Sequence, residues 1–359
     1  MTAQVSGKSP AHPYDSPLAF LGDRLRRDEP VGPLCTYRVG GAAARFVLVQ
    51  DEAELHQIAR ALADSGSLKA DAADSALSVQ VIGRGSNLLL AEAGLPGLLI
   101  QLGEGFAQTL IEGVASSLAD DERLAAGPLS DWRILRAGAM SSLPVVARRS
   151  VTAGLTGFEW AVGVPGSIGG AVRMNAGGHG ADMAASLIGV RVIDLQSGEN
   201  SWVTTTALEL GYRNSSISSA QVVLSADLLL ANGEQQLGEQ RLSEIVTWRR
   251  KHQPGGQNAG SVFRNPPDDS AGRLIEAAGC RGLRIGTAEV STKHANFIQV
   301  DPDGSSDDVL RLMVQMVTRV REHSGIQLHP ETVLLGFDEA SRSSLLAPRS
   351  RRPPVGGIP

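Results

Sequence analysis

The sequence predicts a mixed α+β protein, and three observations carry that assignment. Apolar, β-branched runs alternate with stretches whose apolar residues recur at helical spacing. The 41 glycines and 18 prolines punctuate these runs without any collagen-like period. No self-similarity at a period of about 20 to 50 residues points to a solenoid or propeller. A chain of 359 residues has room for about two or three domains.

The first helix is predicted in "DEAELHQIARALADSG". Asp51 and Glu54 form a capping box there, and Leu55, Ile58, Ala59 and Leu62 share one face. "LSVQVIGRGSNLLL" reads as a buried strand up to Gly83, a turn and a second strand, with "GLLIQL" as a third. "KADAADSALS" and "VASSLADDERLAAGPLSDW" read as polar surface insertions. "VRVIDLQSGENSWVTTTALEL" is strand, Ser-Gly turn and strand. "GEQRLSEIVTWRRKHQP" places Leu242, Ile245, Val246 and Arg249 at helical spacing before Pro254. A last helix is predicted from apolar residues at Val309, Leu312, Met313, Met316, Val317 and Val320, ending at Gly325. The polar start and the basic, proline-rich end are expected to be tails.

Composition excludes several function classes. A net charge of −5 argues against a non-specific nucleic-acid binder, and no groove-reading motif is present. Cys35 and Cys280 have neither disulfide-framework nor zinc spacing. None of the seven histidines, His179 and His294 included, forms a metal-binding motif, so no metal is expected. Without an apolar signal region or a run of about 18 apolar residues, the expectation is a soluble, cytoplasmic chain.

Chemistry enters with the glycines. "GVPGSIGGAVRMNAGGHG" carries Gly163, Gly166, Gly169, Gly170, Gly177, Gly178 and Gly180, and two further glycine turns, "YRVGGAAARF" and "VIGRGSNLLL", also abut strands. No P-loop is present, and "GRGSNL" lacks the third glycine of a dinucleotide fingerprint. Successive N–H groups in such turns make nests suited to a phosphate-bearing cofactor, while glycine equally suits tight strand turns. Downstream stand Arg213 in "GYRNSSI", Ser261 in "NAGSVFRNP" and Glu331 in "HPETVLLGF". A cation, a hydroxyl and a carboxyl could together handle a developing enolate. Spacing alone reads them equally well as a surface ion-pair partner, a turn residue and a solvated acid.

Taken in order, "TYRVGGAA", "VIGRGSNLLL", "GLTGFEWAVGVPGSIGGAVRMNAGGHG", "GYRNSS", "AGSVFRNP", "AGRLIEAAGCRGLRIGTAEVSTKHANFI" and "HPETVLLG" resemble the UDP-N-acetylenolpyruvoylglucosamine reductase family. The resemblance spans about residues 36 to 336 and implies a vanillyl-alcohol-oxidase/PCMH-type, two-lobed FAD-binding region over 17–235. It implies a smaller α+β substrate domain over 236–337 whose last strand returns to the flavin region, with tails at 1–16 and 338–359. It implies FAD held by Gly40 and Gly41, by Gly83, Arg84, Gly85, Ser86 and Asn87, and by Gly163, Pro165, Gly166, Ser167, Gly169 and Gly170. NADPH would reduce FAD and give way to the enolpyruvyl sugar nucleotide, which takes hydride from flavin N5 on the route to peptidoglycan. Arg213 and Glu331 would hold the resulting enolate and Ser261 would protonate it. Asn265 and His179 would contact substrate.

The short connection after "YRNSS" resembles the family type without a long tyrosine-bearing loop, which leaves Arg249, Arg250, Lys251, Arg264, Arg281 and Arg284 as candidates for the substrate diphosphate. "NAGGHG" departs from the family pattern, with His179 where a tyrosine is usual, and Cys280 replaces a leucine. The expected protein is a monomer without nucleic-acid or membrane partners. The alternative reading is another FAD oxidoreductase of the same fold with a different substrate.

Overall fold

In the computed structural model, residues 12–66, 68, 78–114 and 121–346 are described. Most of the insertion expected at 69–78, and residues 115–120 of the second, lie outside them. The first sheet orders its strands Arg26–Pro30, Ala42–Val49, Leu95–Leu102 and Val79–Ile82; the first pair is antiparallel and the others parallel. Parallel neighbours need a crossover, and the helix Glu52–Ser65 provides one, burying Leu55, Ile58, Ala59 and Leu62 as their spacing predicts. Asp51 accepts from the Glu54 N–H at 2.9 Å, and the Glu54 carboxylate turns back to the Gln50 N–H at 2.9 Å.

The second sheet is antiparallel and runs Asn200–Thr204, Leu187–Asp194, Gln221–Asn232, Trp132–Gly138 and Thr109–Gly113, with Leu155–Thr156 pairing the end of Gln221–Asn232. Its central strand is buried from Val222 to Leu230, which is why those positions show no polar alternation. One apolar core joins this sheet to the helix Glu52–Ser65 and to the helix Leu143–Thr152. Leu242, Ile245 and Val246 of the helix Gln235–His252 also pack on that core, although they lie beyond the expected boundary at 235/236.

A third body packs the helices Ala271–Ala277 and Ser306–Ser324 on a small sheet of Arg284–Ile285, Ala288–Val290 and Ile298–Val300. Its chain then returns, and Val333–Leu335 pairs in parallel with Leu88–Leu90 of the first body.

Of the expected tails, residues 1–11 and 347–359 lie outside the described residues, and the described parts, 12–16 and 338–346, need correction. Tyr14 is fully buried, and the Asp15 carboxylate is bonded to the guanidinium of buried Arg45, which pulls its pKa down to about 2. At the other end Glu339–Leu346 is helical, with Leu345 buried and its carbonyl accepting from Gln327 Nε2 at 2.9 Å. An apolar anchor and a distant polar partner hold the described part of each flank, and composition averaged over the flank hides both. Among the described residues no helix is long and apolar enough to cross a membrane.

Candidate active site

A cleft of about 290 Å³ opens where the segments around both sheets meet the third body, and Arg213, Ser261 and Glu331 all line it. Their placement follows from backbone pairing between distant segments. The Glu331 N–H donates to the Val262 carbonyl at 2.7 Å, one residue beyond Ser261. Asn296, almost fully buried, straps the same segment: its carbonyl accepts from Val262 N–H at 2.9 Å and its side chain bonds both backbone groups of Phe263. Asn87 ties the returning chain to the glycine turn, donating to the Glu331 carbonyl and accepting from Val333 N–H, both at 3.0 Å. Buried side-chain amides satisfied this fully fix a loop's position. The Ser261 hydroxyl has no hydrogen-bond partner among the described residues.

Arg213 has a left-handed backbone, φ 55°, unusual for a long side chain. Reciprocal bonds between Gly211 and Asn214, at 3.1 and 3.2 Å, hold its turn. Asn175, itself at φ 40°, binds the Gly211 carbonyl at 2.9 Å and Asp182 at 3.1 Å. The guanidinium is thereby aimed at Glu331, Nε to Oε1 at 2.6 Å, with a second bond to the Gly177 carbonyl at 3.0 Å. Burial pushes the Glu331 carboxyl above the usual range, and the charges of Arg213 and, more weakly, Arg264 oppose that rise without cancelling it. A cation, a carboxyl that holds its proton unusually well and an uncommitted hydroxyl thus share one cleft, a set able to hold an oxyanion and deliver a proton.

Asn175→Gly keeps the left-handed backbone and removes the amide that fixes the Arg213 turn. Because ångström-scale misplacement can cost up to about 100-fold, any reaction that uses Arg213 is expected to slow roughly 10-fold in this variant with the fold intact. Steady-state kinetics beside a thermal melt checks this, and a rate within twofold of wild type would show that the turn holds itself.

The two glycine turns build the opposite wall by meeting each other. A Cβ on Gly83 would lie 2.2 Å from Ser167 Oγ, and one on Gly166, at φ 125°, would lie 2.7 Å from Ser86 Oγ. Ser86 Oγ donates across the junction to the Pro165 carbonyl at 3.1 Å. Gly166 needs glycine for its backbone conformation, whereas the serine hydroxyls at the junction can rotate, and the wall so formed exposes Gly83, Arg84, Gly85, Ser86 and Asn87 beside Gly163, Pro165, Gly166, Ser167 and Gly170. A wall kept this thin suits the close backbone approach of a nucleotide diphosphate.

Other predicted residues stand elsewhere. Gly40 and Gly41 press on the backbone of Leu90 and Glu92, and Gly169 presses on Ala139; none of the three lines the cleft. His179 also lies off the lining, against Gly163 and edge-on to Trp248 at 5.2 Å; burial and then the Arg249 charge hold its pKa below the ordinary value. Asn265 accepts from Ala271 N–H at 3.0 Å, a turn-capping role, and does not line the cleft. Of the six basic candidates Arg249 lines it, bonding Gln253 at 2.6 Å, and Arg264 acts on Glu331. Arg281 is paired with Glu276, and Arg284 with Glu289 and Asp301. Among the described residues no cluster of three or more His, Cys, Asp or Glu could hold a metal.

Asn175, Asn296, Arg173 and Gln253 have no prominence in the sequence. Their partners are distant or backbone groups, so no local motif marks them.

Residues 43–204 match a family model described as FAD binding domain, and residues 252–335 match one described as UDP-N-acetylenolpyruvoylglucosamine reductase, C-terminal domain. A UDP-N-acetylenolpyruvoylglucosamine reductase of Synechococcus sp. (strain RCC307) is 39% identical over 316 residues, covering 87% of this chain and 94% of its own. One of that name from Heliobacterium modesticaldum is 37% identical, covering 88% and 92%. The crystal structure of UDP-N-acetylenolpyruvylglucosamine reductase from Thermus caldophilus superimposes with a TM-score of 0.67 at 31% identity, over 87% of this chain and 99% of that one.

Proposed function

The chain belongs to the UDP-N-acetylenolpyruvoylglucosamine reductase family, an FAD-binding oxidoreductase family, and on that premise we propose that it reduces UDP-N-acetylglucosamine enolpyruvate to UDP-N-acetylmuramate with NADPH as the reductant. The single observation that carries the reading is the meeting of Arg213, Glu331 and Ser261 in one cleft, facing glycine turns fit for a flavin dinucleotide.

FAD held against the turns 83–87 and 163–170 would supply the two-electron redox chemistry between NADPH and the vinyl group of the substrate. The residues of this chain handle the charge and the proton. Arg213 places a fixed positive charge where the enolate develops. Glu331, whose acid form burial favours, donates a hydrogen bond to the same oxygen in that form. Ser261, whose hydroxyl is committed to no described residue, gives its proton to the α-carbon. A serine is a poor acid in water, so the step depends on a dry cleft and on the high basicity of the enolate carbon.

This division of labour fixes a pH dependence. The acid form of Glu331 is populated below its raised pKa, so activity falls as pH rises through that value. The Arg264 charge lowers the pKa of Glu331, so Arg264→Gln is expected to move the alkaline limb of the kcat profile to higher pH. A limb that stays in place or moves down would contradict acid-form action by Glu331.

The reading as a whole is tested by anaerobic NADPH consumption. Sustained consumption is expected only with the enolpyruvyl sugar nucleotide present, with UDP-N-acetylmuramate as product. One reduction of the flavin followed by arrest would mean that the substrate is a different one.

A further inference from the structure

Arg173 occupies the last turn of the helix Ile168–Met174, where a basic residue ordinarily points into solvent and complements the helix dipole. Here it does something else. Its side chain lines the main cleft and also a second, adjoining cavity of about 70 Å³, walled by Val81 and Leu102 of the first sheet and Val222 and Val223 of the second. Gly83, Ser167 and Gly170 border both spaces, so Arg173 stands at the seam between them, beside the glycine turns.

The guanidinium has no carboxylate within ion-pair distance among the described residues. Its one hydrogen bond runs from Nη1 to the Ser218 carbonyl at 2.7 Å, and the Ser215 hydroxyl anchors the Arg173 carbonyl at 2.8 Å. The side chain remains exposed where it borders these spaces, and the protein around it lowers its pKa. An arginine with four donors uncommitted, standing beside glycine turns at a cleft, is equipped to meet an anion.

From this we infer that Arg173 binds the diphosphate of FAD. The inference rests on FAD binding by this chain and adds a residue to it. The second cavity points to which anion is meant. It is lined by residues between Val81 and Val223, and none of Arg213, Ser261 and Glu331 reaches it. A dinucleotide that extends from the main cleft into this cavity would carry its diphosphate past Arg173, whereas a ligand confined to the space over Ser261 would not enter it.

The test is equilibrium binding to the flavin-stripped full chain, comparing wild type with Arg173→Met and Arg173→Lys and using FAD and ADP as probes. ADP carries the diphosphate without the flavin ring. Losing a charge-assisted contact is expected to weaken FAD and ADP alike in Arg173→Met, by roughly 10- to 100-fold. Arg173→Lys is expected to retain part of the affinity, since it keeps the charge without the guanidinium fork. The KM for NADPH of the FAD-saturated variants is expected to stay within twofold. Affinities for FAD and ADP within twofold of wild type would overturn the inference, as would a loss confined to the KM for NADPH. Should thermal melting show Arg173→Met unfolded, Arg173→Lys decides: a several-fold loss for both probes supports the contact, and unchanged affinities reject it. Failure of the wild type itself to bind FAD would instead overturn the cofactor reading.

Discussion

Ser261→Ala is expected to leave flavin reduction by NADPH nearly intact while slowing formation of UDP-N-acetylmuramate by about 100- to 10,000-fold, the range a positioned proton donor contributes. The structure makes the separation clean. Ser261 bonds to no described residue through its hydroxyl, and the backbone of its loop is held by Asn296 and by the Glu331 N–H rather than by the serine side chain. Removing one oxygen should therefore leave the cleft standing. Rapid-mixing measurement of each half-reaction checks this, and full turnover by the alanine variant would end the assignment of Ser261 as proton donor.

Glu331→Gln should likewise spare the first half-reaction and lower the second, by roughly 100-fold or more for loss of one preorganised group at a developing oxyanion. The backbone of Glu331 is tied at both ends, to Val262 and to Asn87, so the substitution acts on the carboxyl and not on the course of the chain. It also leaves the guanidinium of Arg213 without its ionisable partner. Kinetics should show the fall in kcat more than in KM. An equal loss of flavin reduction by NADPH would assign Glu331 to holding the lobes together instead.

How much of this was legible depended on whether the determining contact is local. The helices Glu52–Ser65 and Ser306–Ser324 could be read because their apolar spacing and end signals lie within a few residues of each other: Asp51 caps one, and Gly325, at φ 75°, closes the other. Tyr14 and Leu345 could not, since each is a lone apolar anchor in a polar flank. The site divides the same way. Arg213 and Glu331 are 118 residues apart, and only family-like motifs brought them into one reading. His179 and Asn265 were assigned by motif position, yet the first packs behind Gly163 and the second caps a turn, because a motif fixes a place in the chain and not the direction of a side chain. The glycine-dense stretches line the cleft in part, with Gly83 beside Ser167 and Gly166, at φ 125°, beside Ser86.

The most direct test of the account is a single turnover. The FAD-loaded chain would be reduced anaerobically with one equivalent of NADPH, freed of nicotinamide and mixed rapidly with UDP-N-acetylglucosamine enolpyruvate while flavin absorbance is followed. Rapid return of the oxidised spectrum with one equivalent of UDP-N-acetylmuramate is the predicted result. A flavin that stays reduced would show that the cleft holding Arg213, Ser261 and Glu331 serves some other substrate.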